Sequence, residues 1–298
     1  MVTIRSHYSK KADVTLFHGD CIEFLDELPK ESARLIVTSP PFNIGKEYEK
    51  KLPLKQYLKN QTLVITKCYE KLARNGSICW EVGNYIDGGR IVPLDLLLFP
   101  IFEQLDLSMR GRIIWHFSHG LHCSNRFSGR HESIMWFTKS DDYVFNLDAV
   151  RVPQKYPGKK HFKGPNKGQY SSNPVGKNPG DVWIIPNVKY NHVEKTEHPC
   201  QFPVELVERL ILSLTNKNDL VVDPFMGVGT TAVAAIRRKR RAAGADLVER
   251  YIEIARERVR KAARGELQVR EMNTPIFEMK KGSSLIQQPK EFFRIAKN

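Results

Sequence analysis

The chain of 298 residues lacks any apolar run near the roughly 18 residues that a bilayer-spanning helix needs. With a mean hydropathy of -0.41, a membrane span is not expected. The N-terminus, Met1-Val2-Thr3-Ile4-Arg5, has no apolar core followed by a small-residue cleavage site. That absence excludes a secretory signal there and points to the cytoplasm. The five cysteines, Cys21, Cys68, Cys79, Cys123 and Cys200, include no Cys-x-x-Cys pair, so neither a zinc ribbon nor a disulfide framework is indicated. Acidic residues are scarce beside basic ones, 33 against 47, which leaves a formal net charge of +14. A polyanionic partner fits that excess, because Lys and Arg gain affinity by releasing counterions from phosphates. Charge alone does not separate nucleic-acid binders from ribosomal or membrane-surface proteins.

Apolar content of 41% suffices for one sizeable α/β core with a smaller insertion. Val14 to His18 has the pattern of a strand, and Cys21 to Leu28 that of a helix ended by Pro29. Leu35 to Val37 follows as a buried strand, then Leu54 to Leu72 as an amphipathic helix closed by an Asn75-Gly76 turn. Strands are expected at Ile78 to Val82, Arg112 to Phe117 and Ser133 to Thr138, with a helix over Val92 to Leu105. The longest apolar stretch, Ile91 to Phe102, reads as a buried helix. From 146 to 197, Pro and Gly recur too often for regular elements, while Lys155, Lys159, Lys160, Lys163, Lys167 and Lys177 alternate with Tyr156, His161, Phe162 and Tyr170. Basic and aromatic residues mixed in this way suit contacts to phosphates and bases, where a bare linker would carry few aromatics. Helix and strand then resume: Pro203 to Leu214, Leu220 to Asp223, Thr230 to Arg237, Ala242 to Asp246 and Val248 to Arg264. Such alternation predicts a doubly wound, mostly parallel Rossmann-like sheet.

Two segments carry chemistry, and each follows a strand-like run, where α/β sheets bind their ligands. In the first, Thr38-Ser39-Pro40-Pro41-Phe42, consecutive prolines force the chain out of the sheet. The Ser39 hydroxyl and the Pro40 carbonyl can accept hydrogen bonds from an exocyclic amine, and Phe42 offers a face to a base taken out of a duplex. In isolation a proline-rich turn with a core phenylalanine is the better reading of the same segment. The second is Asp223-Pro224-Phe225-Met226-Gly227-Val228-Gly229-Thr230-Thr231. Gly227 and Gly229 allow close backbone approach to a ligand, yet the P-loop lysine and the third glycine of the dinucleotide fingerprint are missing. Asp223 would repel a pyrophosphate and attract a cation, so S-adenosylmethionine, with a sulfonium and an ammonium, fits better. One βα unit later Asp246 is placed to bind ribose hydroxyls.

Taken in this order, the segments resemble the β-group, or permuted, DNA amino-methyltransferases of restriction-modification systems, in which the catalytic loop precedes the recognition region and the cofactor loop follows it. The similarity covers about residues 14 to 262. His18-Gly19-Asp20-Cys21 resembles the segment that contacts the cofactor's adenine, which implies that role for Asp20 and Cys21. Arg126 to Glu132 followed by Phe137-Thr138-Lys139 resembles the strand block before the recognition region. His198-Pro199-Cys200-Gln201-Phe202-Pro203 resembles the segment that lines the methionine end, implying contacts from His198, Pro199 and Phe202. By this resemblance Ser39, Pro40, Pro41 and Phe42 are catalytic, and Asp223, Phe225, Gly227, Gly229, Thr230, Thr231 and Asp246 hold S-adenosyl-L-methionine. It implies a catalytic part at 1–145, a target-recognition insertion at 146–197, a cofactor-binding part at 198–264 and a basic tail at 265–298. Double-stranded DNA is the implied substrate, with a cognate restriction endonuclease as a companion. Serine at position 39 favours cytosine N4 as acceptor over adenine N6, whose enzymes in this group usually carry Asp there.

Competing readings are weaker. Pro199-Cys200-Gln201 is similar to the Pro-Cys nucleophile of cytosine-C5 methyltransferases, but here it precedes the cofactor strand and lacks the preceding glycines. His116, His119, His122 and Cys123 would need an irregular loop to converge on a metal, so no metal is expected. A non-catalytic DNA-binding protein or a nuclease would need no cofactor loop.

Overall fold

The computed structural model describes residues 2–47 and 49–276; residues 277–298 of the expected tail lie outside the described residues. Its elements in chain order begin with β1 (Ile4–Arg5), β2 (Val14–His18), α1 (Cys21–Glu27), β3 (Ala33–Thr38), α2 (Leu54–Lys71) and β4 (Leu72–Val82). A hairpin of β5 (Asn84–Asp87) and β6 (Arg90–Pro93) leads to α3 (Leu94–Gln104), β7 (Ser108–His116), β8 (His131–Thr138) and β9 (Val182–Ile184). The last five are α4 (Val204–Leu214), β10 (Leu220–Asp223), α5 (Thr230–Arg237), β11 (Arg241–Asp246) and α6 (Glu249–Ala263).

Nine strands form one sheet in the order β1-β2-β11-β10-β3-β4-β8-β7-β9, with antiparallel pairing only where β8 meets β4 and β7. Side chains alternate across it with period two. Leu16, Leu35, Val37 and Val221 face α4, α5 and α6, whereas Phe17, Ile36, Ile78, Trp80 and Val222 face α1, α2 and α3. Both faces are thus covered, as a parallel sheet requires. Each fully buried aliphatic or aromatic side chain contributes about 1.5–3 kcal/mol.

The order reverses between β3 and β10. These strands pair in parallel through Val221 with Leu35 and Val222 with Ile36, but the chain leaves β3 toward β4 and leaves β10 toward β11. The loops at their carboxyl ends therefore diverge and leave a crevice, the usual ligand site of an open α/β sheet.

Three expectations need correction. The apolar run from Ile91 to Phe102 is not one buried helix: Ile91 belongs to β6 and is exposed, as is Leu96, while Leu94, Leu98 and Phe102 form the inward stripe at helical spacing. The start at Val92 gives way to Leu94 because Arg90–Pro93 pairs with β5 across Gly88-Gly89, both at positive φ. No turn separates α2 from the next strand; β4 begins at Leu72, with the pairing to β3 irregular between Ala33 and Leu35. Within 146–197, Val182–Ile184 adds a strand parallel to β7 at the sheet edge.

Candidate active site

At the carboxyl ends of β2, β3, β10 and β11 lies a cavity of about 340 Å³. Four loops supply most of it. From β3 come Ser39, Pro40, Pro41 and Phe42. Their loop is pinned by Asn43, whose side chain donates to Leu52 O at 2.8 Å and accepts from Leu52 N at 2.6 Å. The backbone N–H groups of Asn43 and Ile44 donate to the Glu49 carboxylate. From the end of β2 come Gly19, Asp20 and Cys21. Asp20 caps α1 by accepting from Ile22 N at 2.7 Å. Burial first, then the Asp20 charge, pushes the Cys21 thiol up to about 12, so it lines the cavity as a neutral group.

From β10 come Phe225, Gly227 and Thr230, together with Pro224, Met226 and Val228. Gly227 stands at φ +53°, and a Cβ there would lie 3.2 Å from the His198 ring. Asp246, at the end of β11, accepts from Gly227 N at 3.0 Å and Val248 N at 2.8 Å while facing the cavity. Burial raises its carboxyl above the usual range, opposed by these two hydrogen bonds. His198, Pro199 and Phe202 complete the wall from the segment before α4. Burial, then Lys195, lowers His198 to about 4; the ring is neutral at pH 7 and packs edge-on against Tyr251 at 4.7 Å.

Three expected cofactor residues stand behind the wall. Asp223 is fully buried and does not line the cavity. Its carboxylate accepts from Thr38 Oγ1 at 2.6 Å, Thr231 Oγ1 at 2.5 Å and Phe225 N at 3.1 Å, so it holds the two loops together. Thr231 is spent on that bond. Gly229, at φ +76°, is there for packing: a Cβ would lie 2.7 Å from Ala255 Cβ on α6.

The cavity also contains residues that motif reading passed over. Glu81 at the end of β4, Glu132 at the start of β8, Trp115 on β7 and Lys189 after β9 all line it. The available signal was Glu81 itself, a carboxyl inside the apolar run Ile78-Cys79-Trp80-Glu81-Val82. His116, His119, His122 and Cys123 do not converge; among the described residues no group of three such side chains could hold a metal. Nor is any described helix long and apolar enough to cross a membrane.

A sequence model of the N6/N4 DNA methylase family matches residues 33–257. The chain belongs to that family. This methylase is 49% identical over 253 residues to the type II methyltransferase M.BglII of Bacillus subtilis, covering 85% of this chain and 70% of that protein. It is 32% identical over 250 residues to the DNA adenine methyltransferase YhdJ of Escherichia coli (strain K12), covering 82% of each. A candidate DNA modification methylase of Thermus thermophilus, solved in complex with S-adenosyl-L-methionine, superposes on the methylase with a TM-score of 0.60. That match is at 26% identity and covers 84% of this chain and 94% of the other.

Proposed function

We propose that this methylase transfers a methyl group from S-adenosyl-L-methionine to the N4 amine of a cytosine flipped out of double-stranded DNA. The observation that carries this reading is the bond from Thr38 to Asp223, 185 residues apart, which joins the Ser-Pro-Pro-Phe loop and the glycine loop around one cavity. A volume of about 340 Å³ falls within the range of small-molecule sites. The donor set fits the cofactor: Asp20 and Cys21 for the adenine, Asp246 for ribose hydroxyls, and His198, Pro199 and Phe202 with the Gly227 backbone for the methionine end. When bound, the cofactor supplies an electrophilic sulfonium methyl. Ser39 Oγ and the Pro40 carbonyl accept the two amine N–H bonds, which turns the nitrogen lone pair toward that methyl. Phe42 stacks on the base. Attack is direct, with no covalent enzyme intermediate.

Residues 146–197 are the proposed target-recognition insertion, carried between the parts at 1–145 and 198–264. Its Tyr156, Phe162, Tyr170 and Tyr190 are exposed, and Lys160 lies 5.2 Å above the Tyr170 ring. Similarity to a type II methyltransferase supports a restriction-modification setting with a cognate endonuclease.

Adenine N6 is the second reading, favoured by the similarity to an adenine methyltransferase. Incubating duplex DNA with methyl-labelled cofactor, digesting it to nucleosides and analysing these by mass spectrometry separates the two. Labelled N4-methylcytosine is expected; N6-methyladenine would transfer the assignment to the second reading, and unlabelled nucleosides alone would reject both.

A further inference from the structure

Ser39 is a weak acid and a weak base, yet its oxygen is placed to meet an amine that becomes cationic during methyl transfer. What stands behind it is unusual for an apolar sheet. Thr38 pairs with Trp80 on β4, so the next position brings Ser39 level with Glu81. Glu81 pairs with Ile134 on β8, and Glu132 lies two residues further along the same face, level with Trp115 on β7. Ser39, Glu81 and Glu132 thus form a row across three strands, and all three line the cavity. Only 3% of Glu81 is exposed, and its Oε1 has no hydrogen-bond partner among the described residues. The register sets its carboxyl between Ser39 on one side and Glu132 on the other, and it interacts electrostatically with both. Two neighbouring carboxyl groups in a buried site cannot both ionise without strong repulsion, so they share a proton.

We propose that Glu81 and Glu132 are a proton relay for Ser39, with Glu81 protonated and Glu132 ionised in the resting enzyme. Ser39 directs its hydroxyl hydrogen bond to Glu81, which leaves the Oγ lone pairs free to accept from the substrate amine. Glu81 donates in turn to Glu132, the residue of the pair that keeps part of its surface exposed. Burial, then the charge of Glu132, pushes Glu81 well above the usual carboxylate range; the bond from Glu81 and the nearby Lys189 restrain the rise caused by burial at Glu132. During transfer the amine lone pair forms the N–C bond while the C–S bond breaks, its electron pair remaining on sulfur. The methylated nitrogen then gives one proton to Ser39 Oγ, Ser39 passes its own to Glu81, and Glu81 passes its own to Glu132. Release from Glu132 to solvent resets the row. Until a proton reaches it, the negative charge of Glu132 stabilises the positive charge growing on the nitrogen.

The inference rests on the amine-transfer reading above, which wild-type turnover tests separately. Single-turnover methylation, measured by quenched flow with saturating cofactor and duplex DNA, tests the relay. Glu132→Gln should slow the chemical step by about 100-fold, the lower range for acid–base groups, and leave affinity for cofactor and DNA unchanged. Glu81→Gln still accepts from Ser39 but cannot pass the proton on, and should show a similar loss. The double variant should be no slower than either single one, since both act in one chain. Glu132→Asp should restore part of the rate. The wild-type rate should fall as acid protonates Glu132, and Glu132→Gln should flatten that limb; Lys189, acting on Glu132, and Cys200, acting on Glu81, are unchanged in the variant. A wild-type rate in Glu132→Gln would overturn the relay. So would additive losses in the double variant, or a fall in rate matched by equal losses of cofactor and DNA affinity.

Discussion

Two aspartates that look equivalent in the sequence do different work. Asp223 is sealed inside the sheet, and burial raises its carboxyl to about 6 against three opposing hydrogen bonds. Its folded-state value lies above the ordinary 3.8, so the folded protein holds this proton more tightly than the unfolded chain. Asp223 therefore favours folding in acid, and that contribution is lost as pH rises from about 4 to about 6, on the order of 2–3 kcal/mol. Urea midpoints measured across this window should show a component that disappears in Asp223→Asn. Asp246 faces the cavity while accepting two backbone N–H bonds. In Asp246→Asn the cofactor Kd should rise about tenfold, roughly one charge-assisted hydrogen bond. Calorimetric titration would read it, and an unchanged Kd would remove Asp246 from the ribose contact. Nothing local in the sequence separates the two residues, because each simply ends a strand.

At the scale of elements, the glycine loop is as much a packing device as a ligand cradle. Gly229 caps α5 in the left-handed region and lets α6 approach within the space of one methyl group. Gly229→Ala combines a strained φ with overpacking and should cost about 2–4 kcal/mol, seen as a lower Tm. A Tm equal to the wild type would show that α6 yields at this contact. The strands and helices flanking the site were readable because burial repeats every two or 3.6 residues along them. The hairpin of β5 and β6 was not, since Ile91 and Val92 run on into the apolar sequence of α3 and only pairing across Gly88-Gly89 sets them apart. Trp183 and its neighbours in β9 were missed for a related reason: a three-residue strand has no period of its own and exists through its pairing with β7.

For the molecule as a whole, charge predicts how DNA is held. The net +14 includes a cluster of lysines in the segment proposed to read the target. Replacing Lys159, Lys160, Lys163 and Lys167 with Gln should weaken duplex binding and lower the slope of log K against log salt by roughly 3–4. Cofactor binding should not change. An unaltered slope in fluorescence anisotropy titrations would place the duplex on another face.

Strand and helix periods and proline and glycine punctuation are local properties of the chain, and they were enough to indicate a doubly wound α/β sheet; the resemblance of the two ordered loops to a family of DNA amino-methyltransferases implied the methyl transfer and the DNA amine. Adjacency is not local. Thr38 meets Asp223 because β3 and β10 pair where the strand order reverses, and Glu81 lies near Glu132 because β8 returns antiparallel beside β4. Which carboxylate faces the cavity, which one braces the sheet and which two stand side by side depend on neighbours far away in the sequence, and on a dielectric that exists only once the core has closed.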